Sequence, residues 1–147
     1  YMNIGYQLLR KRRTKMAIST IRAEFPCEIE KIWSIVTSLE DYSWRSDIDK
    51  IIVLEPGKKF EERTKDGYVT KFTITVCEYC KRYEFDMENG NIEGHWIGVF
   101  SYQEGKTTID FTEDVTAKKI FMKPFVKGYL RKQQSSYIHD LKRVLEG

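Results

Sequence analysis

Met16 to Thr37 reads M-A-I-S-T-I-R-A-E-F-P-C-E-I-E-K-I-W-S-I-V-T, and its apolar period changes in the middle. Over the first part residues alternate, with Ile18, Thr20, Arg22 and Glu24 on one side and Ala17, Ser19, Ile21, Ala23 and Phe25 on the other. A two-residue period is that of a half-buried strand. Pro26 lacks the N–H that a ladder needs and stops it. Ile29, Ile32, Trp33 and Val36 then fall at i, i+3, i+4 and i+7, one face of an amphipathic helix, which places Trp33 as a core anchor. A second short helical turn is expected over Leu39 to Trp44.

Downstream the helical period disappears. About six strand-like segments follow, separated by Pro56-Gly57, Asp66-Gly67, Asn89-Gly90 and Glu104-Gly105, dipeptides that favour tight turns. They read as an antiparallel meander. Phe72, Ile74 and Val76 oppose Lys71, Thr73 and Thr75; Tyr83, Phe85 and Met87 oppose Arg82, Glu84 and Asp86. In the last strand Ile109, Phe111, Glu113 and Val115 share a face, so one inward position is a carboxylate. A long helix is predicted from about Pro124 to Glu146, with Val126, Leu130, Gln133 or Gln134, Tyr137, Leu141 and Val144 as its stripe.

Composition excludes several classes. The chain has 147 residues, 25 Lys and Arg against 22 Asp and Glu, and 41% hydrophobic residues, which suits one folded domain rather than a disordered or low-complexity chain. Aromatics make up 14%. No apolar run reaches the length of a membrane span. Cys27, Cys77 and Cys80 are too few and odd in number for a disulfide framework, so a cytoplasmic location is expected. Residues 1–15 hold Arg10, Lys11, Arg12, Arg13 and Lys15 without an acid, and read as a basic N-terminal extension ahead of a domain spanning 16–147. Without that extension the net charge is slightly negative.

Strand, short helices, six-stranded meander and long final helix make the α+β element order of the helix-grip fold. The order is reinforced by F-P-C-E-I-E-K-I-W-S-I-V-T at Phe25 to Thr37, Trp44, P-G-K-K-F at Pro56 to Phe60, G-H-W at Gly94 to Trp96 and G-K-T-T-I-D-F-T-E at Gly105 to Glu113. Residues 16–147 thereby resemble the START-like superfamily, also called SRPBCC, and within it the polyketide cyclase/dehydrase and lipid-transport group. The resemblance implies a curved antiparallel sheet wrapped around the long helix, with an apolar cavity between them for lipids, polyketides or other hydrophobic small molecules. A Y-P-x-F motif of the coenzyme Q-binding branch is missing; Tyr42-Ser43-Trp44 stands near that place.

Glu113 is the candidate for chemistry, since an apolar surrounding raises a carboxyl pKa and suits it to proton transfer; the other reading is pairing with a Lys at the rim. His95 is expected outside, because the register that hides Trp96, Phe100 and Tyr102 exposes it, and His139 is expected on the surface. Cys77-Glu78-Tyr79-Cys80 has the spacing of a redox pair or half a zinc site but no second half, so no metal is expected, and free thiols are expected over a strained turn disulfide. Neither a nucleophile elbow, nor a phosphate loop, nor a zincin motif is present.

The expected function is binding or transport of a hydrophobic small molecule, without a cofactor or nucleic acid, by a monomer or homodimer. Phe60, Phe72, Ile74, Phe85, Trp96, Phe100, Phe111, Val126, Leu130 and Tyr137 are expected to line the site, with Glu113 and Gln134 orienting the ligand's polar end. The alternatives are a cyclase, dehydratase or hydrolase using Glu113 as acid or base, and a protein-interaction module of co-chaperone type.

Overall fold

The computed structural model describes residues 16–147, and the basic extension expected over residues 1–15 lies outside the described residues. Strand β1 (Met16–Phe25) leads into helix α1 (Ile29–Thr37), and then follow β2 (Lys50–Glu55), β3 (Lys59–Arg63), β4 (Val69–Glu78), β5 (Arg82–Glu88), β6 (Ile92–Gln103) and β7 (Lys106–Ala117). A 3-10 turn (Ile120–Met122) precedes helix α2 (Lys123–Glu146). The strands form one antiparallel sheet in the order β1-β7-β6-β5-β4-β3-β2. This is the expected α+β helix-grip arrangement, a curved sheet held against a long C-terminal helix.

The order has a consequence for the site. β1 and β2 follow one another in sequence but form opposite edges of the sheet, so residues 26–49 carry the chain from one edge to the other. That crossing places Trp44 and Arg45 against the interior groups described below.

Two local expectations are corrected. Leu39 to Trp44 is not a second helix but irregular chain with one turn, closed by Arg45 N–H donating to the Tyr42 carbonyl at 3.0 Å. Ser38 is the cause: it leaves the helix in extended conformation, and its hydroxyl accepts from the Asp41 N–H at 3.0 Å, offering the backbone a partner other than the next helical turn. In β4 the alternation breaks at Thr75. Ile74 lies opposite Phe85, whereas Val76 lies opposite Glu84, so a bulge turns Val76 from the inner face expected for it to the outer.

Elsewhere alternation holds. Phe60, Phe72, Tyr83, Met87, Trp96, Phe100, Ile109, Phe111 and Val115 are buried on the inner face, and Ile32 and Trp33 of α1 join them. Trp33 is the anchor its spacing implies, with edge-on contacts to Tyr79, Tyr83 and Phe100 at 5.0 to 6.1 Å between ring centres. Helix α2 buries Val126, Leu130, Gln134, Ile138 and Leu141, mostly against β1 and β7. Gln134 rather than Gln133 is thus the stripe residue. No helix among the described residues is long and apolar enough to cross a membrane.

Candidate functional site

Glu113 sits in the middle of β7, opposite Trp96 on one neighbouring strand and Ser19 on the other. Strand alternation fixes its direction, since Phe111 and Val115 on either side of it are buried. Its Oε2 is enclosed and has no hydrogen-bond partner among the described residues. Burial pushes its pKa up to about 7, the negative charge of Glu62 adds to the rise, and the Arg45 guanidinium opposes it. Glu113 pairs with no lysine among the described residues.

Arg45 is held between two carboxylates. Its Nη1 and Nη2 donate to Glu62 at 2.7 and 3.2 Å, while Nε and Nη2 donate to Asp47 at 3.1 and 2.8 Å. Bidentate pairing of this kind fixes direction as well as distance. Burial disfavours the guanidinium charge, but Glu62 and Asp47 more than offset that and keep Arg45 firmly ionised. The same guanidinium lies over the Tyr137 ring, 5.3 Å from its centre. Burial in turn raises the Tyr137 phenol above the usual range.

The segment carrying Arg45 is fastened to α2. Asp140, 2% exposed, accepts through Oδ2 from the Ser46 N–H at 2.8 Å and the Ser46 hydroxyl at 2.7 Å. Arg143 Nη2 donates to Asp140 Oδ1 at 3.2 Å and to the Trp44 carbonyl at 3.1 Å. Trp44 meets the Tyr137 ring edge-on at 5.3 Å, and its buried indole N–H has no partner among the described residues. One donor and one carboxyl oxygen, Trp44 Nε1 and Glu113 Oε2, are therefore left unsatisfied in the interior. Buried polar groups are normally paired, which sets these two atoms apart from the rest of the described interior.

The expected lining residues divide into two groups. Phe60, Phe72, Phe85, Trp96, Phe111, Tyr137 and Trp44 form a continuous run of ring contacts, each ring 4.7 to 5.9 Å from the next, from β3 across the sheet to α2 and the crossing segment. Of the expected set, Ile74, Phe85, Glu113 and Tyr137 are only half-buried. The other eight, Phe60, Phe72, Trp96, Phe100, Phe111, Val126, Leu130 and Gln134, are buried. Gln134 is placed differently from its expected duty: Oε1 accepts from the Ser19 hydroxyl at 2.7 Å and Nε2 donates to the Ser19 carbonyl at 2.8 Å. Both ends of the amide are thus taken up by β1, which ties the helix to the sheet.

His95 lies on the outer face as expected, its ring nitrogens 2.6 Å from Asp86 and 2.7 Å from Glu84. Tyr102 shares the side of Trp96 and Phe100 but is exposed beyond the core, where its hydroxyl donates to Glu28. His139 is exposed. Cys27, Cys77 and Cys80 are free thiols, and among the described residues no three His, Cys, Asp or Glu side chains converge as a metal group.

Arg45, Glu62, Asp47 and Asp140 escape a reading of sequence periodicity. Glu62 leaves one trace, since it lies two residues after Phe60 in a strand and therefore shares its inward face. Arg45 leaves none, because Ser43 to Asp47 has neither period.

No protein-family model matches the chain, and no curated protein does. Solved structures do match in shape. A START superfamily protein from Mycobacterium smegmatis superposes with a TM-score of 0.78 at 16% identity, covering 90% of this chain and 97% of that one. The protein XoxI from Bacillus cereus gives 0.74 at 15% identity over 89% and 99% of the two chains, and protein Ms6760 from Mycobacterium smegmatis gives 0.66 at 20% over 88% and 90%. Together with the strand order and the long C-terminal helix, these matches establish that residues 16–147 have a START-like fold.

Proposed function

We propose that the protein binds a hydrophobic small molecule between the inner face of the sheet and α2, with the ligand's polar end at Glu113 and Trp44. The observation that carries this reading is the pair of unsatisfied groups, Trp44 Nε1 and Glu113 Oε2, set in an aromatic interior. Accessible surface retained by Ile74, Phe85, Glu113 and Tyr137, next to neighbours that are closed off, supports a cavity at that place. Rings supply the buried area, and the few polar groups supply orientation.

The charge balance narrows the ligand. Arg45 is already matched by Glu62 and Asp47, so among the described residues no free cation remains at this cluster for a carboxylate or phosphate head. A neutral hydroxyl or carbonyl group suits the orphans: the indole N–H donates to its oxygen, and the Glu113 carboxyl, its pKa pushed up to about 7 by burial, donates when protonated and accepts when ionised. Gln134 contributes by holding α2 to β1 rather than by touching the ligand.

An enzymatic reading is favoured by one observation, the enclosed Glu113 carboxyl on the inner face without a partner among the described residues, where burial pushes its pKa up to about 7 and suits it to take and return a proton. In that reading Glu113 is the acid or base of a cyclase- or dehydratase-type step, and Tyr137 stands near the reacting carbonyl.

Native mass spectrometry of the protein from its own cell extract tests binding directly, with an adduct expected. Titration with N-phenyl-1-naphthylamine tests it independently: saturable one-to-one binding that weakens in Trp44→Phe and Glu113→Ala is the expected result. Absence of both an adduct and saturable binding would remove the proposal.

A further inference from the structure

Between Asp114 and Asp140 the chain has Lys118, Lys119, Lys123, Lys127, Arg131 and Lys132 and no acidic residue. The same stretch carries the three most exposed large apolar side chains of the described residues, Ile120 at 86% and Phe121 and Phe125 at 72%, and Tyr129 in it is exposed as well. Phe121, Phe125 and Tyr129 are four residues apart and so fall on one side of the 3-10 turn and the first turns of α2. Val126 and Leu130 take the side facing the sheet.

Local stability does not account for this composition. Two phenylalanines and an isoleucine in water gain nothing for the fold, and Lys123 at the start of α2, with no acid in the first turn, opposes the helix dipole. Lys118 pairs with Glu88 at 3.4 Å; the other five cations have no carboxylate partner among the described residues. Such a patch marks a contact surface.

We infer that the face formed by Ile120, Phe121, Phe125 and the flanking lysines docks on an anionic lipid bilayer. Its chemistry matches the boundary between headgroups and acyl chains: apolar side chains enter the upper hydrocarbon while ammonium groups meet lipid phosphates. A second copy of the chain fits poorly, because two such faces would bring their cations together without a counter-charge. Nucleic acid fits poorly as well, since residues 16–147 carry 20 basic against 22 acidic groups and the patch is headed by exposed Ile120, Phe121 and Phe125, which have no hydrogen-bonding or charged group to offer a phosphate backbone.

The test is flotation of the full chain with vesicles of phosphatidylcholine alone or with about 30% phosphatidylglycerol, at about 0.15 M and 0.5 M salt. Binding to the anionic vesicles is expected to exceed binding to the neutral ones by about tenfold or more and to fall at the higher salt. Phe121→Ser/Phe125→Ser and Lys119→Glu/Lys123→Glu should each weaken it by about tenfold or more, with unchanged circular dichroism showing that both variants fold. Equal binding to both vesicle types would overturn the inference. So would binding that survives both double substitutions, which is the result if the basic residues 10–15 carry it alone. Association of the chain with itself through this face, or binding to a random DNA duplex as tight as to anionic vesicles, would overturn it too.

Discussion

Arg45 and Glu62 meet through two hydrogen bonds, 2.7 and 3.2 Å long, while the same guanidinium holds Asp47 at 2.8 and 3.1 Å. One cation thus serves two carboxylates, and the negative charge of Glu62 is felt by Glu113, a carboxyl that pairs with no cation among the described residues.

Replacing Glu62 by Gln removes the charge but keeps the shape. Arg45 loses half of its counter-charge, and the fold should lose about 2 kcal/mol in urea denaturation, less than for a fully enclosed pair. At the same time the Glu113 midpoint should fall below its value of about 7, because Glu62 contributes to raising it and Arg45 is freed to lower it. Carbon NMR of the carboxyl groups reads that shift, and an unmoved midpoint would break the proposed coupling.

The raised pKa of Glu113 costs stability on the alkaline side. Between an unfolded value near 4.5 and a folded value of about 7, the native state holds a proton that the unfolded chain has released, so stability declines as pH rises through this window and levels off above it. Glu113→Gln stays neutral throughout. It should be more stable than the parent at pH 8 by up to about 3 kcal/mol, while the two converge near pH 4, where both are neutral. Urea melts across that range check the prediction; parallel curves would show that Glu113 titrates normally.

Ser19 and Gln134 tie β1 to α2 through both ends of one amide. Gln134→Ala leaves the buried Ser19 hydroxyl without its acceptor and opens space, which should cost about 2 to 3 kcal/mol. Ser19→Ala should cost about 1 kcal/mol. The double variant should lose less than the sum, since the two changes remove one shared bond. Strict additivity in a double-mutant cycle would contradict this.

Gly98 in β6 lies where an added Cβ would run into the Trp96 ring and press on Phe111. Gly98→Ala must therefore move the indole that stacks on Phe85 at 4.8 Å, at an expected cost of about 1 to 3 kcal/mol. Because the collision is with a ring rather than with backbone, the variant should still fold, with an altered near-ultraviolet circular dichroism spectrum. An unchanged spectrum would argue against a tightly packed Trp96.

Local period and turn chemistry determined the elements. Ala17 to Phe25 as a strand, Trp33 as an anchor, the hairpins at Asp66-Gly67 and Glu104-Gly105, the inward direction of Glu113 and the outward one of His95 all follow from which side of a strand or helix a residue occupies. Each is decided within a few residues of chain. What tertiary structure alone decided lies where that rule stops. The bulge at Thr75 reversed Val76, and the Ser38 hydroxyl ended α1 without a second helical turn. Arg45 came to Glu62 and Asp140 to Ser46 because β1 and β2 form opposite edges of the sheet and the chain between them must cross. Partners 17 and 94 residues apart leave no period in the sequence, since their pairing depends on where the sheet and α2 carry them and not on their neighbours along the chain.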